Sequence, residues 1–143
     1  MNSLATLPTM FETVGASVPT ARFRDIPDAL QRACLAAQTA ADNKGQEIAI
    51  LDLRKITPLF DFFVIATGTS RRQIHTIVEE IDATMRRVGD SRMGVEGYES
   101  SKWVVQDYGD VLVHVFDPET RSYYNLEELW ADAGKLDWEQ EID

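Results

Sequence analysis

Two short, nearly unbroken apolar runs do most to constrain how this chain folds. Residues 48–53 read IAILDL and residues 62–66 read FFVIA. A strand exposed on one face alternates apolar with polar residues, whereas a strand covered on both faces loses that alternation. The runs therefore predict central strands of a sheet packed on both sides. Residues 54–61 between them carry Thr57-Pro58, which interrupts any regular element.

The flanking segments read as helices and a hairpin. Asp25 is a cap candidate ahead of Pro27, and an Ala-rich helix with the stripe Leu30, Ala33, Ala37 and Ala41 is expected to reach about Asn43 and stop at Gly45. Ile74, Ile77, Val78, Ile81, Met85 and Val88 recur at helical spacing and end at Gly89, with Ser70 and Gln73 forming a capping box at the start. Residues 93–96 read as a short strand, and residues 103–107 and 111–116 as a hairpin around Tyr108-Gly109-Asp110. Asn125 with Glu128 marks a further helix start carrying Leu126, Leu129 and Trp130. The order of elements predicts an α/β domain, a mixed β-sheet with flanking helices.

At 143 residues the chain has the length of one domain and needs no disulfide staple. Residues 1–24 are expected to be a flexible extension and residues 25–133 the folded domain, with 134–143 an acidic tail. The extension lacks the basic start and apolar block of a secretory signal, and a transit peptide is weakly supported. Residues 1–89 hold ten basic and ten acidic residues, while residues 90–143 hold four and fourteen, so the net charge of −10 arises wholly from the last third. Such a surface repels phosphate backbones, so no direct nucleic-acid binding is expected there, and a basic protein is the better match. Solubility alone explains the same charge equally well. One cysteine, Cys34, fits a reducing, cytoplasmic setting, and His75 and His114 are too few for a zinc site. No apolar run approaches the roughly 20 residues that span a bilayer, so no membrane association is expected.

Tests for catalysis fail one after another. Thr67-Gly68-Thr69-Ser70-Arg71-Arg72 joins a strand to a helix start, where an anion could bind, but the Gly-Lys-Ser/Thr spacing of a Walker loop is missing and capping explains Gly68 and Ser70. Carboxylates that hold divalent ions must converge. Asp107 and Asp110 flank a turn, Asp117 and Glu119 span a proline in a loop, and the remaining acids trail in the tail. Cys34 sits among alanines, His114 sits among valines, and no serine or cysteine pairs with a histidine at a known spacing. The sequence therefore reads as no enzyme, with no cofactor and no metal.

What remains is an aromatic and acidic surface. Strand alternation puts Trp103, Val105 and Asp107 on one face and Lys102, Val104 and Gln106 on the other. Trp103 is then either a core residue, by burial statistics, or an interface anchor beside a tyrosine. Both readings stay open.

The runs LDLRKITPLFDFFVIATGTSRRQ, VEG, KWVVQDYGDVLVHVF and RSYYNLEELWADA, over residues 31–133, closely resemble the ribosomal silencing factor, or Iojap-like, family. Phe62 before Phe63 and Gln106 within an apolar strand depart from the common pattern. The resemblance implies a nucleotidyltransferase-like fold without catalytic residues. It implies a translational repressor that binds the large ribosomal subunit through large-subunit ribosomal protein fourteen and blocks the small subunit sterically. It also implies homodimers in isolation and a role in negative regulation of ribosome biogenesis. Matched by motif, Trp103 and Tyr124 fall on partner-contact positions, with Asp107 and Tyr108 in the same D-Y-G-D motif. Trp103→Ala and Tyr124→Ala are each expected to leave the fold intact and weaken binding. The alternative is a metal-dependent nucleotidyltransferase or nucleotide-binding enzyme of the same fold.

Overall fold

A computed structural model describes residues 26–141. Its elements run α1 (Ala29–Asp42), β1 (Gln46–Asp52), β2 (Phe62–Thr67), α2 (Arg71–Arg87), β3 (Gly94–Glu96), β4 (Trp103–Asp107), β5 (Val111–Phe116), α3 (Pro118–Tyr124), α4 (Leu126–Leu129), β6 (Gly134–Leu136) and α5 (Trp138–Glu141). The six strands form one sheet in the order β3-β4-β5-β2-β1-β6. β2 and β5 run parallel, and every other neighbouring pair is antiparallel. This is the mixed α/β sheet with flanking helices expected from the sequence.

All side chains of β2 and β5 are buried, as the unbroken apolar runs require. Period-two alternation divides them between two cores. Phe62, Val64, Ala66, Val111, Val113 and Val115 join Val104 beneath α1 and α2. Phe63, Ile65, Leu112 and Phe116 join Trp103 and Val105 on the opposite face, under Phe60, Leu126 and the partly buried Tyr124, Leu129 and Trp130. Helix α1 lies close to the sheet because its inward residues are Ala33, Ala36, Ala37 and Ala40, all with no exposed surface. Cys34 is a small core residue there.

Several local expectations change. Asp28, not Asp25, caps α1: its carboxylate accepts from the Gln31 amide, and Gln31 Oε1 accepts from the Asp28 amide. Asp25 lies outside the described residues. At α2, Ser70 accepts from the Gln73 amide at 3.0 Å, but Gln73 Oε1 accepts from the Thr69 amide instead of closing a box. Residues 118–124, expected as an acidic loop, form helix α3, because Asp117 caps it through the Thr120 amide and Pro118 occupies its first turn. Asn125 starts α4, as expected, but adopts φ 49° to link the two helices, and its side-chain amide donates to Glu128. Residues 134–141 of the expected acidic tail also fold, and residues 142–143 lie outside the described residues. β6 pairs with β1, and Trp138 packs on the α1 side of the core. Among the described residues no helix is long and apolar enough to cross a membrane.

Candidate functional site

Strand β4 and helix α3 meet at the sheet end where β5 leaves the core. The register sets Trp103 opposite Phe116, so its indole lies on the residue from which the chain turns into α3. The indole stacks on the Phe116 ring at 5.0 Å and meets the Tyr124 ring at 4.8 Å. Its Nε1–H donates to His114 Nδ1 at 3.0 Å. Tyr124 continues the aromatic row edge-on to Tyr123 at 5.0 Å, and Tyr123 is 80% exposed. Beside this row opens a groove of about 540 Å³, lined by Gly97, Lys102, Trp103, Asp117, Tyr123 and Tyr124 among others.

The four residues singled out by motif divide unevenly. Tyr124 is half-buried and faces the groove. Trp103 lines the groove with a small margin, being 6% exposed and otherwise part of the core. Both open readings of Trp103 therefore hold in part. Asp107 and Tyr108 are built into the fold and offer a partner no such face. Asp107 is buried and accepts from the Gly109 amide at 2.8 Å, fixing the hairpin turn. Tyr108 has no exposed surface, and its hydroxyl donates to Asp82 at 2.9 Å. Burial, followed by that carboxylate, raises the phenol far above its ordinary range. Alternation placed Asp107 on the strand, and the turn signal placed Tyr108 in the hairpin turn, but neither carried information about what covers them.

Tyr123 is the exposed member that motif matching passed over, although its place in a Tyr-Tyr pair was visible. Large exposed aromatics are the residues most often found as binding anchors. His114 sits at the base of the row with no exposed surface, and burial lowers it from 6.5 to about 3. It is therefore neutral at ordinary pH, and Nδ1 is free of a proton so that it can accept from Trp103.

Asp107, Asp110 and Asp117, and the Gly68 loop, serve the scaffold. Asp110 and Asp90 hold the buried guanidinium of Arg32 at 2.8 and 2.9 Å. Asp117 is the α3 cap. Gly68 packs so tightly that an added Cβ would lie 2.7 Å from Ile74 Cγ1. Its amide donates to the Phe116 carbonyl at 2.9 Å, and Arg71 turns away to donate to the Glu99 carbonyl at 2.8 Å. Among the described residues no group of three or more His, Cys, Asp or Glu side chains is placed to hold a metal ion.

The central strands of the mixed sheet are covered on both faces, and an aromatic groove opens at one end. The profile of the family described as "Ribosomal silencing factor during starvation" matches residues 26–143, and the chain belongs to this family of ribosome-associated regulators of translation. A ribosomal silencing factor of Halalkalibacterium halodurans is 39% identical over 105 residues, covering 73% of this chain and 90% of that one. A crystal structure of a Chromobacterium violaceum protein superposes with a TM-score of 0.71 at 38% identity, over 73% of this chain and 88% of that one. The mouse protein named "Mitochondrial assembly of ribosomal large subunit protein 1" is 31% identical over 90 residues, 61% of this chain and 40% of its own length.

Proposed function

We propose that the protein is a cytoplasmic translational repressor. It docks on the large ribosomal subunit, through large-subunit ribosomal protein fourteen, and by its bulk excludes the small subunit. The observation that carries this reading is the Trp103–Tyr124–Tyr123 row, which ends in a tyrosine 80% exposed at the mouth of a groove. The printed name of the mouse relative, which refers to the large ribosomal subunit, supports the choice of subunit. Electrostatics supports it too. The groove opens within the acidic third of the chain, with Asp117 and Glu119 at its rim, and a basic ribosomal protein complements that charge. Inhibition is steric, so it requires no turnover and no catalytic group.

The groove residues give the test. Trp103→Ala, expected from sequence to leave the fold intact, would instead remove a core side chain at about 3–5 kcal/mol of stability, so it is a poor probe. Tyr123→Ala and Tyr124→Ala are better, because both rings stand on the rim. Each is expected to weaken binding to purified large subunits by about 2–4 kcal/mol, the usual cost of removing an aromatic anchor. In sedimentation, wild-type protein should travel with the large subunit and deplete the joined particle. A folded Tyr123→Ala/Tyr124→Ala double variant with undiminished binding would overturn the site.

A further inference from the structure

The groove has a second wall, the loop that leads into β4. Residues 97–101 form a tight loop between β3 and β4, whose Gly97 and Ser100 line the groove beside Lys102 and Trp103. Its backbone takes positive φ at both ends, freely at Gly97 and with strain at Ser101. Gly97 has φ 80°, and an added Cβ would lie 2.1 Å from the Trp103 carbonyl oxygen. Ser101 adopts φ 59°, a left-handed conformation that an L residue other than Asn or Asp seldom takes. Inside the loop the Ser101 amide donates to the Gly97 carbonyl at 3.1 Å, Ser100 Oγ to the same carbonyl at 3.2 Å and Ser101 Oγ to the Tyr98 carbonyl at 3.0 Å. The strain at Ser101 works against these bonds, so contacts from outside add to the loop's hold.

Helix α2 supplies that hold. Its core stripe faces the sheet, but Arg71, His75 and Glu79, four residues apart on another face, all grip the loop. Arg71 donates to the Glu99 carbonyl at 2.8 Å. The His75 ring lies flat on the Tyr98 ring, with centroids 4.1 Å apart and planes 6° apart. His75 Nε2 is 3.0 Å from the Tyr98 carbonyl and 2.7 Å from Ser101 Oγ. A carbonyl only accepts, so Nε2 carries its proton and donates, while Ser101 Oγ donates to the same carbonyl at 3.0 Å. The Glu79 carboxylate, followed by burial, raises the Tyr98 hydroxyl above the ordinary phenol range. Tyr98 also packs against the edge of the α1–α2 core, so these contacts add to a hold that the core already begins.

We infer that His75, assisted by Arg71 and Glu79, is a positioning residue that holds the 97–101 loop shut and so presets the partner groove. The inference rests on the groove reading above, since a loop clasp matters to function only if the groove binds. When the clasp is lost the loop opens part of the time, and apparent affinity falls by the fraction of molecules left competent. The open fraction sets how fast the Ser101 amide exchanges with solvent. Exchange therefore reports any opening, whereas affinity falls only as the closed fraction itself shrinks.

The test uses the full chain and purified large ribosomal subunits. His75→Ala is expected to speed exchange of the Ser101 amide about tenfold, the scale of one lost stack and one lost hydrogen bond, and to weaken subunit binding by the ratio of closed fractions that the two exchange rates give. Exchange at Val113, in the middle of β5, should stay as in wild type. His75→Gln, which keeps a side-chain N–H donor but not the stack, should restore part of both losses. If His75→Ala also loses Val113 protection, Glu79→Ala replaces it, since Glu79 is exposed and its removal frees only the Tyr98 hydroxyl; about threefold faster exchange is expected. Unchanged Ser101 exchange would overturn the clasp, as would an affinity that departs from the ratio of closed fractions. Tyr123→Ala separates the two readings. If it weakens binding while His75→Ala does not, the clasp alone fails; if it binds like wild type, the groove itself fails.

Discussion

His114 makes the stability of this domain depend on pH in a way that can be worked out from the structure. It is fully buried at the base of the aromatic row and accepts from Trp103 Nε1 at 3.0 Å, and burial lowers it from 6.5 to about 3. A histidine that charges more readily unfolded than folded leaves the unfolded chain binding more protons between those two values. Stability is then complete above pH 6.5, declines as pH falls through that window, and levels off below about pH 3. The full shift corresponds to about 5 kcal/mol, and about 3 kcal/mol of it is lost by pH 4. Against a total stability of about 5–15 kcal/mol that is a large share. His114→Asn provides the comparison, because Asn Oδ1 can take the place of Nδ1 as the Trp103 acceptor and does not titrate. Urea unfolding at pH 7, 5.5 and 4 should show wild type more stable at pH 7. The gap should shrink by about 3 kcal/mol by pH 4, with carboxylate effects common to both proteins cancelling. A gap of constant size across the three pH values would refute the argument and mean that the imidazole is hydrated or shares a proton when folded.

Three further outcomes follow from other parts of the structure. Tyr108→Phe removes the donor to Asp82 Oδ1 and the hydroxyl that Gln106 Nε2 reaches at 3.2 Å; chemical denaturation should show a loss of about 1–3 kcal/mol, with subunit binding unchanged because the site is buried. Ala37→Leu inserts three carbons where α1 has no exposed surface to give, so thermal unfolding should register about 1–3 kcal/mol of overpacking. Titration calorimetry with a nucleoside triphosphate and magnesium should give no heat of binding, because Gly68 is packed against Ile74 and its amide is already bonded to Phe116; saturable heat would revive the nucleotidyltransferase alternative.

The elements legible from sequence were those whose signal is local. Unbroken apolar runs gave β1 and β2, a 3.6-residue stripe gave α2, and the Tyr108-Gly109-Asp110 turn gave the β4–β5 hairpin with its ends correct. Two segments were misread because composition outweighed geometry. Asp117-Pro118 looked like a loop break, yet Asp followed by Pro is also the start of a helix, and only the helical residues after it distinguish the two. The residues after Ala133 looked like a solvated tail on account of their acids, whereas a strand of three residues and one indole, Trp138, suffice to dock them on β1 and α1.

The site shows the same boundary between local and distant information. Alternation correctly put Trp103 and Val105 on one face of β4, but exposure depends on what lies over that face, and here the cover comes from residues 60, 124, 126, 129 and 130. No pattern within a five-residue strand encodes that. The result is that a row of aromatics which reads as a surface becomes graded by depth: His114 fully enclosed, Trp103 nearly so, Tyr124 half-buried and Tyr123 in solvent. A graded row has a mechanical consequence. Packing and the Trp103–His114 hydrogen bond fix Trp103 and Tyr124, so under the proposed docking these two rings would lose little rotamer freedom, and the entropic cost would fall on Tyr123.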